Sequence, residues 1–159
     1  MEQKFVTSLK NAEKYLRAAD HLASVAYPLI LDSKICLQIL SELNIFSIYL
    51  MNSVLQYEYY FKRIQLFADS KINLETFKND CVKYYKFSDN ELRIFYEVMR
   101  LADAHKNSPM EFVKDKNVVI MSDGGRTDTI NIEKIKSMIN NMKTMLKKVR
   151  TRLEQSRLF

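Results

Sequence analysis

Two glycines and two prolines in 159 residues leave this chain very few places to turn. They fall in three spots: Pro28, Pro109 and the pair Gly124-Gly125. Glycine and proline are the strongest local interrupters of regular structure, so the long stretches between them are free to stay helical. The fold this predicts is all-α, an antiparallel bundle of four to five helices with a small β-hairpin before the C-terminal helix. The length suits one domain over residues 1–159, large enough to bury a core without disulfides or a metal.

Apolar spacing supports that outline. Phe5, Leu9, Ala12, Leu16, Ala19, Ala23 and Ala26 repeat at 4-3 intervals, the stripe of a helix running to about Tyr27 and punctuated by Pro28. A second helix is predicted from about Lys34 to Arg63, roughly 45 Å long at 1.5 Å per residue. Cys36, Leu40, Leu43, Ser47, Leu50, Val54, Tyr57 and Phe61 form its stripe, and Ile35, Ile39, Phe46, Tyr49 and Leu55 widen it. So broad an apolar surface belongs at the centre of the bundle, with a second subunit covering part of it. Gln38, Glu42, Asn44 and Asn52 interrupt the run, which fits a buried helix better than a membrane span.

A short helix is expected over about Leu74 to Tyr85, with Phe77, Cys81 and Tyr84 inward. Ser88-Asp89-Asn90-Glu91 has the form of a capping box, opening a helix to His105 with Leu92, Phe95, Met99 and Ala102 inward. Asn107-Ser108-Pro109 ends it. Residues 110–130 lose the helical period and read as short extended pieces at Phe112-Val113, Val118 to Met121 and Thr127 to Ile130, with turns at Lys114 to Asn117 and Ser122 to Arg126. The last helix, about Ile132 to Arg157, buries Ile135, Ile139, Met142, Leu146, Val149 and Leu153.

Several chemistries lack their residues. Two histidines, His21 and His105, and no Glu-x-x-His leave no ligand set for a zinc or di-iron bundle, so neither metal nor cofactor is expected. Asp123-Gly124-Gly125 is not followed by the Gly-Lys-Ser/Thr of a phosphate-binding loop. Cys36 and Cys81 sit in apolar runs and read as small core residues of a protein in a reducing compartment. With neither a leader nor a glycosylation sequon to be read, a cytoplasmic protein away from membranes is expected.

Charge is unevenly distributed. Between Glu133 and Arg157 eight basic residues face two acidic ones, which accounts for the whole net charge of +6. Lys136, Lys143, Lys147 and Arg150 line one flank of the apolar stripe, and Lys134, Lys148 and Arg152 the other. Such a surface attracts polyanions without reading sequence, so the first four are candidate RNA-phosphate contacts. The plainer reading is a solvated amphipathic helix whose long stems cover the edge of the core. Tyr57, Tyr59 and Tyr60, followed by Lys62 and Arg63, can stack on bases or pack in a core or interface.

Arg100-Leu-Ala-Asp-Ala-His105, near the end of the penultimate long helix, resembles the motif of the HEPN family (higher eukaryotes and prokaryotes nucleotide-binding). Its members are small helical domains that pair as dimers. Many are metal-independent ribonucleases whose catalytic pair is Arg-x(4–6)-His. The resemblance implies Arg100 and His105 as catalytic residues, RNA as substrate and a homodimer. It also implies toxin–antitoxin pairing with a nucleotidyltransferase antitoxin. Active members place a polar residue directly after the arginine, where this chain has Leu101. The run from His105 through Ser108-Pro109-Met110-Glu111-Phe112 is also similar to uncharacterised small archaeal proteins.

The residue types suit such chemistry. An imidazole, with a reference pKa of about 6.5, can move a proton in either direction near neutral pH. A guanidinium can hold charge that develops on phosphorus. Five residues apart on a helix the two side chains diverge by about 140°, so a two-fold dimer would be needed to bring two motifs into one cleft. Glu97 or Asp103 would orient Arg100. The competing readings are a surface ion pair and a helix-terminal histidine, in a non-catalytic helical dimerisation or scaffold module. Non-catalytic RNA binding through the last helix is a third.

Overall fold

The computed structural model describes residues 1–156; Arg157 lies outside them. Helix α1 (Lys4–His21) buries Phe5, Leu9, Ala12, Leu16 and Ala19 against α2 (Ile35–Tyr60), its antiparallel neighbour across a short link. The first helix does not stop at Tyr27. It continues through a π-turn, Leu22–Ala26, into a last turn, Tyr27–Ile30, that contains Pro28. Proline has no N–H to donate and its ring crowds the carbonyl four residues back. The widened turn, in which Tyr27 N–H bonds the Leu22 carbonyl, accommodates both defects. Leu31 then closes the helix in the left-handed region, at φ 58°.

Helix α2 is the centre of the bundle. Cys36, Ile39, Leu40, Leu43, Phe46, Leu50 and Val54 are all fully buried in it. Each large side chain so buried contributes about 1.5–3 kcal/mol relative to exposure. By length and composition α2 could also cross a membrane, but these residues are the core of the bundle. Both cysteines are buried thiols, and burial pushes them up to about 11 for Cys36 and about 12 for Cys81.

The next helix starts earlier than the spacing predicts. Asp69 caps α3 (Ser70–Thr76) by accepting from Lys71 N–H at 2.8 Å. A π-turn over Phe77–Cys81 and a 3₁₀ turn over Val82–Tyr84 follow. The extra residue in the π-turn rotates everything after it. Tyr85 is therefore the inward residue, and Tyr84, expected inside, is 40% exposed.

The capping box opening α4 (Asp89–Asn107) is complete: Ser88 Oγ accepts from Glu91 N–H at 3.0 Å, and Glu91 accepts from Ser88 N–H at 3.1 Å. The buried stripe of α4 is Phe95, Val98, Leu101 and Ala102, with Leu92 and Met99 at its edges. Helix α5 (Ile132–Glu154), capped by Asn131, packs on α1, α2 and α4.

Between α4 and α5 lies a three-stranded antiparallel sheet, one strand more than the hairpin expected. β1 (Met110–Lys114) and β2 (Asn117–Met121) join through Asp115 and Lys116, both at positive φ as a two-residue hairpin turn requires. The further strand is β3 (Thr127–Ile130), reached through a turn at Gly124 and Gly125, which adopt φ 88° and 85°. Thr127–Ile130 is extended as its sequence predicts; what the hairpin expectation lacked was its pairing with β2, a contact that no local pattern encodes. Val118, Ile120 and Ile130 face the helices, and in the same inward row Glu111, Ile120 and Asp128 lie side by side.

Candidate functional site

That inward row meets the Arg100 and His105 motif. Arg100, at the middle of α4, makes four hydrogen bonds to two carboxylates. Glu97, one turn earlier, accepts from Nε at 2.9 Å and Nη2 at 2.6 Å. Asp128 of β3 accepts from Nη2 at 2.8 Å and Nη1 at 3.1 Å. A guanidinium has five N–H donors, so one remains for any other acceptor. The two carboxylates hold Arg100 firmly protonated, and Arg100 in turn holds both of them below the usual carboxylate range.

Of the two orienting residues expected, Glu97 takes that place and Asp103 does not: its carboxylate and its carbonyl accept from Asn107 Nδ2. Asp128 occupies the second position. The signal for it was the alternation of Thr127-Asp128-Thr129-Ile130, which puts Asp128 on the same face as Ile130. His105 is held separately, its Nδ1 2.6 Å from Glu111 of β1. If Nδ1 carries the proton for that carboxylate, Nε2 is the ring nitrogen left to act. Among the described residues no hydrogen bond or ion pair joins Arg100 to His105, and the cleft beside Arg100 does not include His105. Leu101, the departure from the HEPN pattern, is fully buried in the core.

The cleft beside Arg100 is poor in net positive charge. Asp103, Asp123 and Arg126 line it with Arg100, Glu97 and Asp128 sit on the guanidinium, and Lys134 acts on both of those carboxylates. Four carboxylates thus face three cations.

The basic residues of α5 divide in two. Lys143 pairs with Asp20 of α1 at 3.2 Å, and Arg150 pairs with Glu13 of α1 and, at 3.4 Å, with Glu154. These two expected RNA contacts tie α5 to the bundle or to its own next turn. Lys136 and Lys147 are exposed and have no ion pair among the described residues. On the other flank, Lys148 reaches back to Glu91 at 2.5 Å and to the Lys86 carbonyl at 2.9 Å, so the capping-box glutamate also anchors α5. Arg152 bonds Glu58 of α2 at 2.8 Å and 3.3 Å.

Glu58 is the one fully buried charged residue among the described residues. Arg152, Arg63 and Tyr85 all donate to it, the tyrosine at 2.8 Å. Burial alone would raise its carboxyl, but these donors outweigh burial and hold it below its ordinary value. Burial and the same carboxylate push the Tyr85 hydroxyl well up. A lone acid among Val54, Leu55 and Tyr57 was the available sequence signal.

Beside this group, α5 and the turn after α3 form a cleft of about 450 Å³, lined among others by Tyr84, Lys86, Lys147, Lys148, Thr151 and Arg152. Among the described residues no carboxylate lines it. Among the described residues, Lys86, Lys147, Lys148 and Arg152 of the lining, with Arg63 behind it on Glu58, are set against Glu58 and Glu91, an excess of three positive charges. The Arg152 guanidinium lies 4.8 Å from the centroid of the Tyr84 ring. Of the tyrosines expected to stack or pack, Tyr57 is buried under Phe5 and Phe61, while Tyr59 and Tyr60 are exposed. Arg63 bonds Glu58 and lies over Tyr57 and Phe61. No family model, curated protein or solved structure matches this chain.

Proposed function

We propose that this chain is a HEPN-like helical domain that binds RNA through the basic face of α5 without cleaving it, and that Arg100 and His105 serve mainly to hold the sheet on α4. The carrying observation is the opposite charge balance of the two regions. An excess of three positive charges surrounds the Tyr84 cleft, whereas four carboxylates face three cations at Arg100. Phosphate binding needs cations free to displace counterions, and Lys86 and Lys147 meet that need while Arg100 does not. A homodimer belongs to the same reading. Its support is the apolar surface exposed at Val25, Leu29, Ile30 and Leu31 and at Ile48 of α2.

The test is binding of fluorescein-labelled RNA by purified protein at 50 and 200 mM KCl, with excess EDTA throughout. Affinity is expected to fall at least tenfold between the two salts and to survive the Arg100→Ala/His105→Ala substitutions, with the RNA left intact. No binding at 50 mM KCl would sink the reading.

A second reading, metal-independent cleavage, draws on one feature. Glu111 holds His105 Nδ1 as a carboxylate orients the imidazole of a general base. Cleavage in EDTA that leaves cyclic phosphate ends and disappears in the double variant would favour it.

A further inference from the structure

We propose that the Tyr84 cleft receives one unpaired nucleotide, its base against the Tyr84 ring and its phosphate at the Lys86 and Lys147 ammoniums, so that the protein prefers single-stranded to duplex RNA. This rests on the RNA-binding reading and deepens it. The positive excess is gathered in a cleft of about 450 Å³, at the small end of the range for ligand sites and suited to one nucleotide rather than to the broad groove of an A-form helix. The ring at its edge belongs to Tyr84, which is 40% exposed and makes no hydrogen bond among the described residues. Arg152 and Lys83 lie over that ring, 4.8 Å and 5.3 Å from its centre, and the exposed Lys83 side chain is free to give way to a base. Aromatic rings in a positively charged groove stack unpaired bases, with arginine adding cation–π attraction, and a base inside a duplex has no free face to offer.

Thr151 adds a polar contact suited to ribose. Its hydroxyl donates to the Lys147 carbonyl at 2.9 Å, which leaves the oxygen able to accept, and Thr151 is one of the residues that line the cleft. A ribose 2′-hydroxyl can donate to it.

Fluorescence anisotropy with a labelled 12-nucleotide poly(U) and a 12-base-pair RNA duplex tests the inference on the full chain. Wild type should bind the single strand at least tenfold more tightly. Tyr84→Phe keeps the ring and should match wild type. Tyr84→Leu should weaken single-strand binding about five- to tenfold and leave duplex binding unchanged. Equal affinity for the two RNAs, or Tyr84→Leu binding as wild type does, overturns the inference. A Lys86→Glu/Lys147→Glu variant separates this from the parent reading. If it weakens binding to both RNAs while Tyr84→Leu changes neither, RNA binding stands and the single-strand site falls. If it weakens neither RNA, both fall. Thermal melts of each variant within 3 °C of wild type confirm that the comparison is between folded proteins.

Discussion

Arg100 and Arg152 are both helix arginines bound to carboxylates, yet their surroundings differ. Arg100 holds two acids, with Arg126 reaching one of them only at 3.8 Å, and its charge is more than answered. Arg152 shares one acid with Arg63, so the buried Glu58 answers two guanidiniums at once. The first arrangement fastens a sheet to a helix. The second fastens three helical segments and still leaves positive charge at the surface. A motif of arginine and histidine therefore says little about an anion site until the acids around it are known.

The largest expected effect lies at Glu58. Glu58→Ala leaves two guanidiniums and a tyrosine hydroxyl without their shared acceptor and should cost about 3–5 kcal/mol, read as a fall in chemical-denaturation midpoint. A midpoint within error of wild type would show that Glu58 does not organise the basic region.

Acid should loosen both regions. The folded carboxyls of Glu58, Glu97 and Asp128 are all depressed, so below about pH 4 the unfolded chain takes up protons first and stability falls with pH. Above that value these groups should contribute fully and melting should be flat from them. Melting points that rise on acidification from pH 5 to 3 would contradict the ion-pair assignment.

Arg100→Ala should be milder, about 1 kcal/mol, because 35% of its side chain is exposed and solvent screens the pairs. It should also increase hydrogen exchange in β3 more than in α5. A smaller change sharpens the contrast directly. Glu97→Gln/Asp128→Asn removes the acids that answer Arg100, and RNA affinity should rise about two- to fivefold, within the few tenths to one kcal/mol of exposed charge effects. Unchanged affinity would mean that the carboxylates are not what keeps RNA away. Asp103→Ala, which breaks only the Asn107 contact, should shift stability by less than about 0.5 kcal/mol.

The helices were legible because their information is local. The 4-3 stripe of α1, the Ser88 capping box and the apolar width of α2 are each written in a short window of sequence. What escaped was of two kinds. The π-turns depend on small departures from regular spacing, one residue at a time. The partners of the charged residues depend on tertiary contact: Asp128 lies 28 positions from Arg100, and Glu58 lies 94 from Arg152. No pattern within one helix could choose Asp128 over Asp103, or show that Arg150 would meet Glu13. Leu101 was visible as an oddity beside Arg100, but only the packing of α4 explains it.

The Phe77–Cys81 π-turn makes the chemistry of the molecule a matter of counting as well as of composition. Each residue further along a helix advances the side chain by about 100°. With the extra residue, one tyrosine of an adjacent pair meets solvent and the other meets Glu58. Deleting a single exposed residue there, Lys78 for instance, would let a regular α-turn replace the π-turn and leave Tyr85 about two α-turns after Phe77, still on the Glu58 side. What the site would not absorb is a π-turn tightened to an α-turn with no residue lost, which would carry Tyr84 towards Glu58 and Tyr85 away from it. The π-turn is thus a gear tooth: it takes up one residue, so that Tyr85 and not Tyr84 engages the buried side.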